Sequence, residues 1–313
     1  MSTIQVRIPG LLTTVQDLGR PGFGPDGVSP SGAADPVSLR VGNRLVANDE
    51  SAAGLEMTLV GGTFVFPQGA ILALTGSDFG AILDDVPLEL GTSVEALPGQ
   101  IVRLGATSSG ARCYLCVQGG IAVTPFLGSA STHLLSGLGG FQGRPLRKGD
   151  VVEVGPATKL FRKRTIAPRA WENLSRRKVL RVTPGPQVDW FSESSQDSFY
   201  AGTYRVGEQS NRMGLRLEGP AVSQQDSSPM ITEGVSLGAV QVPTAGSPII
   251  LFVEQQTTGG YPKIANVISA DLHRLGQLRP RDEIRFEPVT FDTARCLLIE
   301  QEKLLTSGEL ILE

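Results

Sequence analysis

A carboxylate and a guanidinium stand three residues apart near the start of the chain, at Asp17 and Arg20. Arginine binds carboxylates and phosphates through two parallel hydrogen bonds, and aspartate can accept a proton or orient a nitrogen. Ser31 adds a hydroxyl in the polar stretch that ends at Asp35. These residues form the first candidate segment for a small polar or anionic ligand. The alternative is structural, because Asp17 and Arg20 could pair with each other.

A second candidate segment, residues 209–219, contains Ser210, Asn211 and Arg212 side by side. An arginine next to an asparagine in a turn forms a usable cluster of hydrogen-bond donors. Serine and asparagine are also common turn formers, so a hairpin held by its own hydrogen bonds explains the same residues equally well. Both interpretations stay open at this point.

The third candidate segment, residues 254–263, directly follows the apolar run 248–253. Two threonines and two glycines expose backbone N–H groups, which can build an anion-binding nest. Lys263 would add a positive charge, and a polar loop that leaves a core strand is a usual position for function. We predict that this segment binds substrate through Glu254, Gln256, Thr257, Thr258, Gly259, Gly260 and Tyr261.

The chain has two histidines, His133 and His273. Small residues at 128–132 leave space beside the imidazole of His133. Arg144 follows in the glycine-rich stretch 139–144, and we predict that it binds substrate. His133 is therefore either an acid or base in catalysis, or a loop histidine bonded to the backbone. His273 lies in a segment that predicts a short helix, where a surface or packing role is expected rather than chemistry.

Several common chemical motifs are absent from the sequence. It contains no P-loop, no G-x-S-x-G nucleophile elbow and no H-E-x-x-H, and two histidines are too few for a histidine-rich zinc site. Cys113 and Cys116 spell C-x-x-C, but residues three apart on a strand point to opposite faces. We therefore expect two buried thiols here and no metal in this chain.

The composition excludes some partners. The chain has 28 Lys and Arg against 31 Asp and Glu, a net charge of −3, which argues against a general nucleic-acid binder. No apolar run is long enough to span a membrane, and Asp17 interrupts any signal peptide. Three cysteines, an odd number, fit a reducing cytoplasm better than a disulfide framework.

Short apolar runs separated by glycine and proline turns position these segments. Their spacing is typical of a β-barrel or β-sandwich and predicts a mainly β chain with a few short helices. Asp35, as N-cap before Pro36, predicts a helix with apolar residues at every fourth position from Val37 to Leu45. A second helix is predicted from 294 to 305, after an N-cap at Asp292.

The charge pattern suggests a boundary between two domains. Between Arg162 and Arg181 there are eight basic residues and one acid. We predict a β-rich lobe at 1–160, a basic linker at 161–177 and a second lobe at 178–313, with an exchange of strands between lobes left open. The linker could instead be a binding patch for an acidic partner, although such charge runs are more often solvated surface.

Seven motifs resemble, in order, those of the KipA/allophanate-hydrolase-subunit-2 family. That family includes the C subunit of bacterial ATP-dependent 5-oxoprolinase and the carboxyltransferase region of urea carboxylase. The match runs over nearly the whole chain, and the combination of motifs is specific. The motifs are Val15–Arg20, Ser31–Asp35, Gly128–Thr132, Gly139–Arg144, Ser210–Gly214, Gln241–Pro243 and Gln256–Lys263.

The resemblance implies a cyclophilin-like β-barrel architecture, with two β-rich lobes around a cleft. In a 5-oxoprolinase, KipI-like and LamB/YcsF-like subunits would join this chain and open the lactam of 5-oxo-L-proline to L-glutamate while ATP is hydrolysed. ATP would then be held by this chain or by one of those partners. Arg20, Arg212 and Lys263 would stabilise the developing charge.

The same resemblance leaves two other functions open. A carboxyltransferase would receive carboxybiotin and a urea-like amide, with Asp17 or His133 as the base and biotin carried by another protein, since this chain has no biotin-attachment motif. A KipA-type regulator would have no enzymatic activity and would bind a KipI-like inhibitor of a sensor kinase.

The chain departs from the family pattern at two positions. Glu254 stands where the family usually has Asp, so its carboxylate would be displaced by one methylene in any site that it helps to form. The turn Pro280-Arg281-Asp282 replaces the usual Pro-Gly-Asp and is expected to affect only a surface bend. We also predict that the three candidate segments converge on one pocket for a small negatively charged group.

Overall fold

Short strands make up most of the regular structure, so the predicted mainly β class is confirmed. The computed structural model describes residues 2–157, 159–168, 170, 178–225 and 230–313. Its helices are α1 (Pro36–Leu45), α2 (Glu193–Ala201), α3 (Leu272–Leu275) and α4 (Phe291–Thr306), with 3-10 turns at Gly24–Asp26, Val188–Trp190 and Ser269–Asp271. Its strands are β1 (Ser2–Ile8), β2 (Leu12–Gln16), β3 (Gly54–Thr58), β4 (Thr63–Val65), β5 (Ala70–Gly76), β6 (Ile82–Leu83), β7 (Val86–Pro87), β8 (Ser93–Ala96), β9 (Ile101–Arg103), β10 (Arg112–Val117), β11 (Val151–Val154), β12 (Thr165–Ile166), β13 (Val179–Pro184), β14 (Tyr204–Val206), β15 (Gly214–Glu218), β16 (Glu233–Gly234), β17 (Ala239–Gln241), β18 (Ile249–Leu251), β19 (Thr258–Gly259), β20 (Lys263–Val267), β21 (Glu283–Pro288) and β22 (Ile311–Leu312).

The chain divides into two compact units. The first unit contains the described residues of Met1–Arg20, Ser31–Ser175 and Leu304–Glu313, and the second those of Pro21–Pro30 and Arg176–Lys303. Both units are therefore discontinuous in the sequence. The lobe bounds drawn from the charge pattern stay a prediction.

The first unit is built on two antiparallel sheets. One has the strand order β11-β1-β4-β9-β6-β7 and the other the order β2-β3-β10-β5-β8. A single hydrophobic core takes side chains from both sheets, among them Ile4, Phe64 and Leu115, which are all fully buried. The two sheets therefore pack face to face as a β-sandwich.

Helix α1 covers the outer face of the second sheet. Asp35 accepts a hydrogen bond from the Ser38 N–H at 2.9 Å, so the predicted N-cap is confirmed. A Cβ atom at Gly42 would collide with the Cys116 thiol, so glycine allows the helix to lie close to β10. The predicted apolar positions Val37, Val41 and Leu45 are all buried.

Strand β10 is buried on both faces, and its two cysteines belong to different cores. Cys113 packs between the two sheets, whereas Cys116 packs under α1 with Tyr114. Both thiols are free, and burial raises the pKa of Cys113 and raises that of Cys116 to about 12. The prediction of two buried apolar thiols is confirmed.

The second unit contains a closed barrel with the strand order β13-β20-β17-β18-β15-β14-β21. The pair β13 and β21 is parallel, and closure leaves these strands without an open edge. Phe199 of α2 stacks on Phe286 of β21 with ring centroids 4.5 Å apart and covers the barrel wall. The β-barrel expected from the family resemblance is confirmed.

Helix α4 confirms the predicted C-terminal helix but corrects its start. The Thr293 N–H donates to the Thr290 hydroxyl at 3.1 Å, so Thr290 caps the helix. The prediction of Asp292 as N-cap is therefore wrong. Asp292 lies inside the first turn, where its negative charge interacts favourably with the helix dipole.

Part of the predicted basic linker, residues 169 and 171–177, lies outside the described residues. The described part includes β12, which pairs with β22. Arg164 forms an ion pair with Glu313 at 2.6 Å in the same region. Within the described ranges, no helix combines the length and the apolar character that a bilayer crossing requires.

Candidate active site

Asp17 lies directly after strand β2 and binds a loop more than 110 residues away in the sequence. Its Oδ1 accepts hydrogen bonds from the Gly19 N–H at 2.8 Å, the Ser129 hydroxyl at 2.6 Å and the Ser131 hydroxyl at 2.5 Å. Its Oδ2 accepts a bond from the Ala130 N–H at 2.6 Å. The carboxylate thus fixes the loop 129–131 against the end of β2.

Arg20 holds the same loop from a second position. Its guanidinium donates to the backbone carbonyls of Phe126 and Ser131 and lies over the Phe126 ring at 5.5 Å from the centroid. The side chain is only 2% exposed. Gly139 packs against it, and a Cβ there would collide with the guanidinium and with the Ser131 carbonyl. Asp17 and Arg20 therefore both clasp the loop 126–131.

Ser31 brings a third motif to this cluster. It adopts a left-handed φ of 56°, and its hydroxyl donates to the Thr132 carbonyl at 2.9 Å. Gln16 donates to the same carbonyl at 3.1 Å, and the Ala33 N–H donates to the Asp17 carbonyl at 2.8 Å. Motifs from positions 15–20, 31–35 and 128–132 thus meet within the first unit.

His133 follows this loop and is 8% exposed. Its Nδ1 accepts a hydrogen bond from the Ser136 N–H at 3.1 Å, which places the proton of the neutral ring on Nε2. The backbone of His133 pairs with that of Leu138. The backbone-bonded histidine described in the sequence analysis is thus observed, and its role in catalysis stays a prediction.

Arg144 forms an ion pair within its own loop. Its two terminal nitrogens lie 2.8 and 2.9 Å from the Asp150 carboxylate, and its guanidinium lies over the Phe141 ring. This pairing raises the pKa of Arg144 and lowers the pKa of Asp150. Any ligand of Arg144 would have to compete with Asp150.

Arg212 and Glu254 form a buried ion pair in the second unit. Arg212 Nε lies 2.5 Å from Glu254 Oε1, and the side chains are 6% and 3% exposed. The Glu254 N–H also donates to the Arg212 carbonyl at 2.8 Å, which fixes the two segments side by side. The glutamate that departs from the family pattern is therefore in direct contact with the arginine of the second candidate segment.

Ser210 and Asn211 shape the turn that precedes β15. Asn211 Oδ1 accepts from the Met213 N–H at 2.8 Å, and the Ser210 hydroxyl accepts from the Arg216 N–H at 3.0 Å. These are the self-contained hydrogen bonds of the hairpin interpretation. A contribution of either side chain to substrate binding stays a prediction.

Lys263 is 3% exposed and begins strand β20. Its ammonium lies 2.5 Å from Glu233 Oε1, which also accepts from Gln187 Nε2 at 3.0 Å. The hydrogen bond from Lys263 is the main cause of the lowered pKa of Glu233. Glu233 is 41% exposed, so the ion pair joins a buried cation to an acid that reaches solvent.

The loop between Glu254 and Lys263 is partly a strand. Thr258 and Gly259 form β19, which pairs with β16, and Gln241 Nε2 donates to the Gly260 carbonyl at 2.9 Å. Gln256, Thr258 and Tyr261 are exposed, and Thr257, Gly259 and Gly260 are half-buried. The backbone of this segment is ordered by pairing, and its use as an anion nest stays a prediction.

Sequence reasoning missed the residues that complete these sites. Ser129 and Ser131 alternate along an extended segment, and this spacing could have indicated that both hydroxyls face one side. Glu233 and Gln187 carry no local signal, because they reach Lys263 only through tertiary packing. Among the described residues, no group of three or more His, Cys, Asp and Glu side chains is placed to hold a metal ion.

Comparison with known proteins defines the family. A family model described as carboxyltransferase domain, subdomain A and B, matches residues 26–288. The chain therefore belongs to the carboxyltransferase-domain family, which confirms the assignment made from the seven motifs. The convergence of the three candidate segments on one pocket stays a prediction.

Relatives in this family differ in name and in length. The chain is 39% identical over 295 residues to the C subunit of 5-oxoprolinase from Escherichia coli, covering 94% of each protein. It is 32% identical to the urea amidolyase of Saccharomyces cerevisiae, covering 98% of this chain and 18% of that protein. The crystal structure of the K. lactis urea amidolyase superposes with a TM-score of 0.90 at 32% identity, over 99% of this chain and 20% of that one.

Proposed function

We propose that the chain is the C subunit of an ATP-dependent 5-oxoprolinase. The observation that carries this proposal is the 39% identity to the C subunit of the Escherichia coli 5-oxoprolinase over 94% of both proteins. The match to urea amidolyase covers only 18% of that much longer protein. The substrate is then 5-oxo-L-proline, and the product is L-glutamate.

The reaction needs an activated carbonyl, because an unstrained lactam is a poor electrophile. Transfer of the terminal phosphoryl group of ATP to the lactam oxygen would give the ring carbon a good leaving group. Water then adds to that carbon, the ring C–N bond breaks, and the nitrogen takes up a proton as the amine, which leaves an acyl phosphate. A second water hydrolyses this acyl phosphate to the carboxylate of glutamate and inorganic phosphate. Negative charge develops on the oxygens, so fixed positive groups would accelerate the reaction.

Of the two buried candidate cations of the second unit, Arg212 and Lys263, Lys263 is the one that a ligand can reach more readily. Its partner Glu233 is 41% exposed and can move into water, whereas Glu254, the partner of Arg212, is only 3% exposed. An anionic group could therefore replace Glu233 beside Lys263 at little cost. Arg20 supplies buried positive charge in the first unit, where it also holds the loop 126–131.

Partner subunits complete this proposal. KipI-like and LamB/YcsF-like subunits would join the chain in the cytoplasm, where its three free cysteines stay reduced. The sequence has no P-loop, so we assign ATP binding to one of these partners. His133 or Asp17 would move a proton, and Asp17 already accepts four hydrogen bonds within its own unit.

A carboxyltransferase is the second candidate function, supported by the 0.90 TM-score with the K. lactis urea amidolyase. In that case the carboxyl group of carboxybiotin, carried by another protein, would move to the nitrogen of urea or a related amide. The amide nitrogen would lose its proton to His133 or Asp17 as it takes the carboxyl group. The biotin ring nitrogen that loses the carboxyl group would take up that proton, so that biotin is released.

The two activities are separated by reconstitution. The purified chain, mixed with both partner subunits, ATP and 5-oxoproline, should form glutamate and ADP together. Formation of a carboxylated amide from urea and a carboxybiotin carrier, without glutamate, would establish the second function instead. If neither product forms although the partners are active, and the chain binds the KipI-like protein tightly, the chain is a regulator and the hydrolase proposal is rejected.

Two variants test the placement of the site. Lys263→Met and Thr258→Val should each lower glutamate formation at least about a hundredfold, a loss of roughly 2.7 kcal/mol of transition-state stabilisation. The exposed residues Lys148 and Thr124 provide the matched controls Lys148→Met and Thr124→Val, which should retain full activity. Circular dichroism confirms folding, and normal turnover in both test variants would overturn the placement.

A further inference from the structure

Three ionisable side chains form a buried cluster in the first unit, and none of them has an assigned role. Glu56 of β3 is 2% exposed, and Arg112 and Tyr114 of β10 are 7% and 0% exposed. Glu56 and Tyr114 stand directly opposite each other on the paired strands, and Arg112 Nε lies 3.6 Å from Glu56 Oε1. Apolar residues of similar size are often at least as stable as a buried ion pair. The cluster therefore points to a use besides packing.

This Glu56 cluster binds the backbone of the motif that precedes helix α1. Glu56 Oε2 accepts hydrogen bonds from the Ala34 N–H at 2.8 Å and from the Tyr114 hydroxyl at 2.7 Å. The same hydroxyl accepts a bond from the Asp35 N–H at 2.8 Å. The cluster therefore fixes two consecutive amides of the segment 31–35.

The segment 31–35 reaches the candidate site at its other end. The Ala33 N–H donates to the Asp17 carbonyl at 2.8 Å, and the Ser31 hydroxyl donates to the Thr132 carbonyl at 2.9 Å. Ser31 has a left-handed φ of 56°, which is unfavourable for a residue with a side chain and persists only where the surroundings enforce it. The hydrogen bonds from the Glu56 cluster to the next residues of the segment supply such a constraint.

The side chains of the Glu56 cluster suit this role. Burial and the Glu56 carboxylate raise the pKa of Tyr114 well above its usual value, so its hydroxyl keeps the proton that it donates to Glu56. Arg112 supplies the opposite charge that a buried carboxylate needs. A glutamine at position 56 would keep one acceptor oxygen but would turn an NH₂ group toward the guanidinium, where donor faces donor. Loss of the carboxylate or of the hydroxyl should therefore loosen the segment 31–35.

We propose that Glu56 and Tyr114 are positioning residues of the candidate active site, which hold the segment 31–35 so that Ser31 keeps the geometry that the reaction needs. Neither side chain touches the substrate, because both are buried. The reaction is that of the proposed function, on which this assignment rests. A misplacement of about 1 Å in an active site can cost about a hundredfold in rate, so the loss of one buried hydroxyl is expected to act on turnover.

Hydrogen exchange of single amides in the full chain, followed by NMR, tests the holding of the segment without turnover. Tyr114→Phe should speed exchange at least about tenfold at Asp35, which loses its acceptor, and also at Ala33, whose own acceptor is unchanged. Thr75→Val is the matched control and should leave both amides as in wild type. Thr75 is opposite Tyr114 on β5, is equally buried, and donates its hydroxyl to the Ser38 carbonyl at 2.7 Å. Unchanged exchange at Ala33 in folded Tyr114→Phe would overturn the proposal.

Turnover of the reconstituted enzyme tests the effect on the reaction. Tyr114→Phe should lower kcat/KM for 5-oxoproline at least about tenfold, or 1.4 kcal/mol, while KM for ATP stays within about twofold of wild type. Thr75→Val should retain both values. In a Ser31→Ala background, Tyr114→Phe should cost less than about threefold, because the side chain that it positions is already absent. Equal costs in both backgrounds would overturn the proposal, since a general structural loss does not depend on Ser31.

Glu56→Gln, which keeps the size of the side chain, repeats both measurements if Tyr114→Phe does not fold. Glu208→Gln, at an exposed position, is its control. Faster exchange at Ala33 in the variant, together with a reconstituted wild-type enzyme that forms no glutamate, would support the holding of the segment and reject the proposed function. Full glutamate formation by the folded variant would reject the positioning role and retain the proposed function.

Discussion

Asp17 in the first unit and Glu254 in the second are both buried carboxylates of the candidate segments, but different groups hold them. Asp17 accepts four hydrogen bonds from hydroxyls and backbone N–H groups. Glu254 bonds to the guanidinium of Arg212. Removal of one neutral donor takes a single hydrogen bond from Asp17. Removal of either member of the Arg212–Glu254 ion pair leaves an unpaired buried charge.

The largest effect is expected at the ion pair. Arg212→Met should lower the free energy of unfolding by about 3–5 kcal/mol, because it removes the guanidinium from a buried carboxylate. Urea denaturation measures this loss. The double variant Arg212→Met/Glu254→Leu should recover most of the stability. A loss of less than about 1 kcal/mol in Arg212→Met would show that the ion pair holds Glu254 no more strongly than neutral donors hold Asp17.

Asp17→Asn should cost less, about 1–3 kcal/mol, because the amide keeps one acceptor oxygen and turns an NH₂ group toward a donor. The same urea titration measures it. The Ser129 and Ser131 hydroxyls can rotate, but the N–H groups of Gly19 and Ala130 cannot. Asp189→Asn, at an exposed position, is the control, and equal losses at both positions would contradict the role assigned to Asp17.

The sequence predicted local features of the fold more reliably than distant contacts. The Asp35 cap and helix α1 depend on neighbouring residues, and both were predicted. The cap of α4 was misassigned because Thr290 and Asp292 are both good capping residues two positions apart, and only the backbone geometry selects Thr290.

The candidate site shows the same limit. Local density of polar residues identified Asp17, Arg212 and Lys263, but their partners stand far away in the chain. Ser129 is 112 residues from Asp17, and Glu254 is 42 residues from Arg212. Such pairings are set by sheet packing, which no local pattern encodes.

A smaller effect is expected where the two units use different residues in equivalent turns. Gly149 in the first unit and Arg281 in the second both have a left-handed φ, of 91° and 74°. Each is followed by an aspartate and then by a strand, β11 or β21. Arg281→Gly should be more stable than Arg281→Ala by about 1 kcal/mol, because only glycine adopts this φ without strain.

Thermal unfolding measures this difference. Both variants lack the exposed ion pair between Arg281 and Glu208, so its loss cancels when the two are compared. Gly149→Ala should destabilise by a similar amount, about 1 kcal/mol. Equal stability of the two Arg281 variants would show that the turn in the second unit carries no strain.

The smallest effect is expected at the partly exposed pair of Arg144 and Asp150. Arg144→Gln should cost no more than about 1 kcal/mol at neutral pH. Arg144 lowers the pKa of Asp150 in the folded state. The ion pair therefore stabilises the folded chain at pH values above the unfolded-state pKa of about 3.9, and this stabilisation is lost as the pH falls through the folded-state pKa. The urea midpoints of wild type and variant should therefore differ at neutral pH and converge at acid pH.

Lys148→Gln, at a neighbouring exposed position, is the control for the general effect of losing a positive charge. A stability difference that stays constant from neutral to acid pH would assign the effect of Arg144 to its packing over Phe141.

The pairing of β12 with β22 has a consequence for synthesis of the chain. Thr165 and Ile166 pair with Ile311 and Leu312, so strand β12 of the nascent first unit has no β22 to pair with while residues 176–303 of the second unit are translated. At ribosomal rates of about 5–20 residues per second this interval lasts roughly seven to thirty seconds. During that time an apolar edge is open to chaperones and to neighbouring nascent chains.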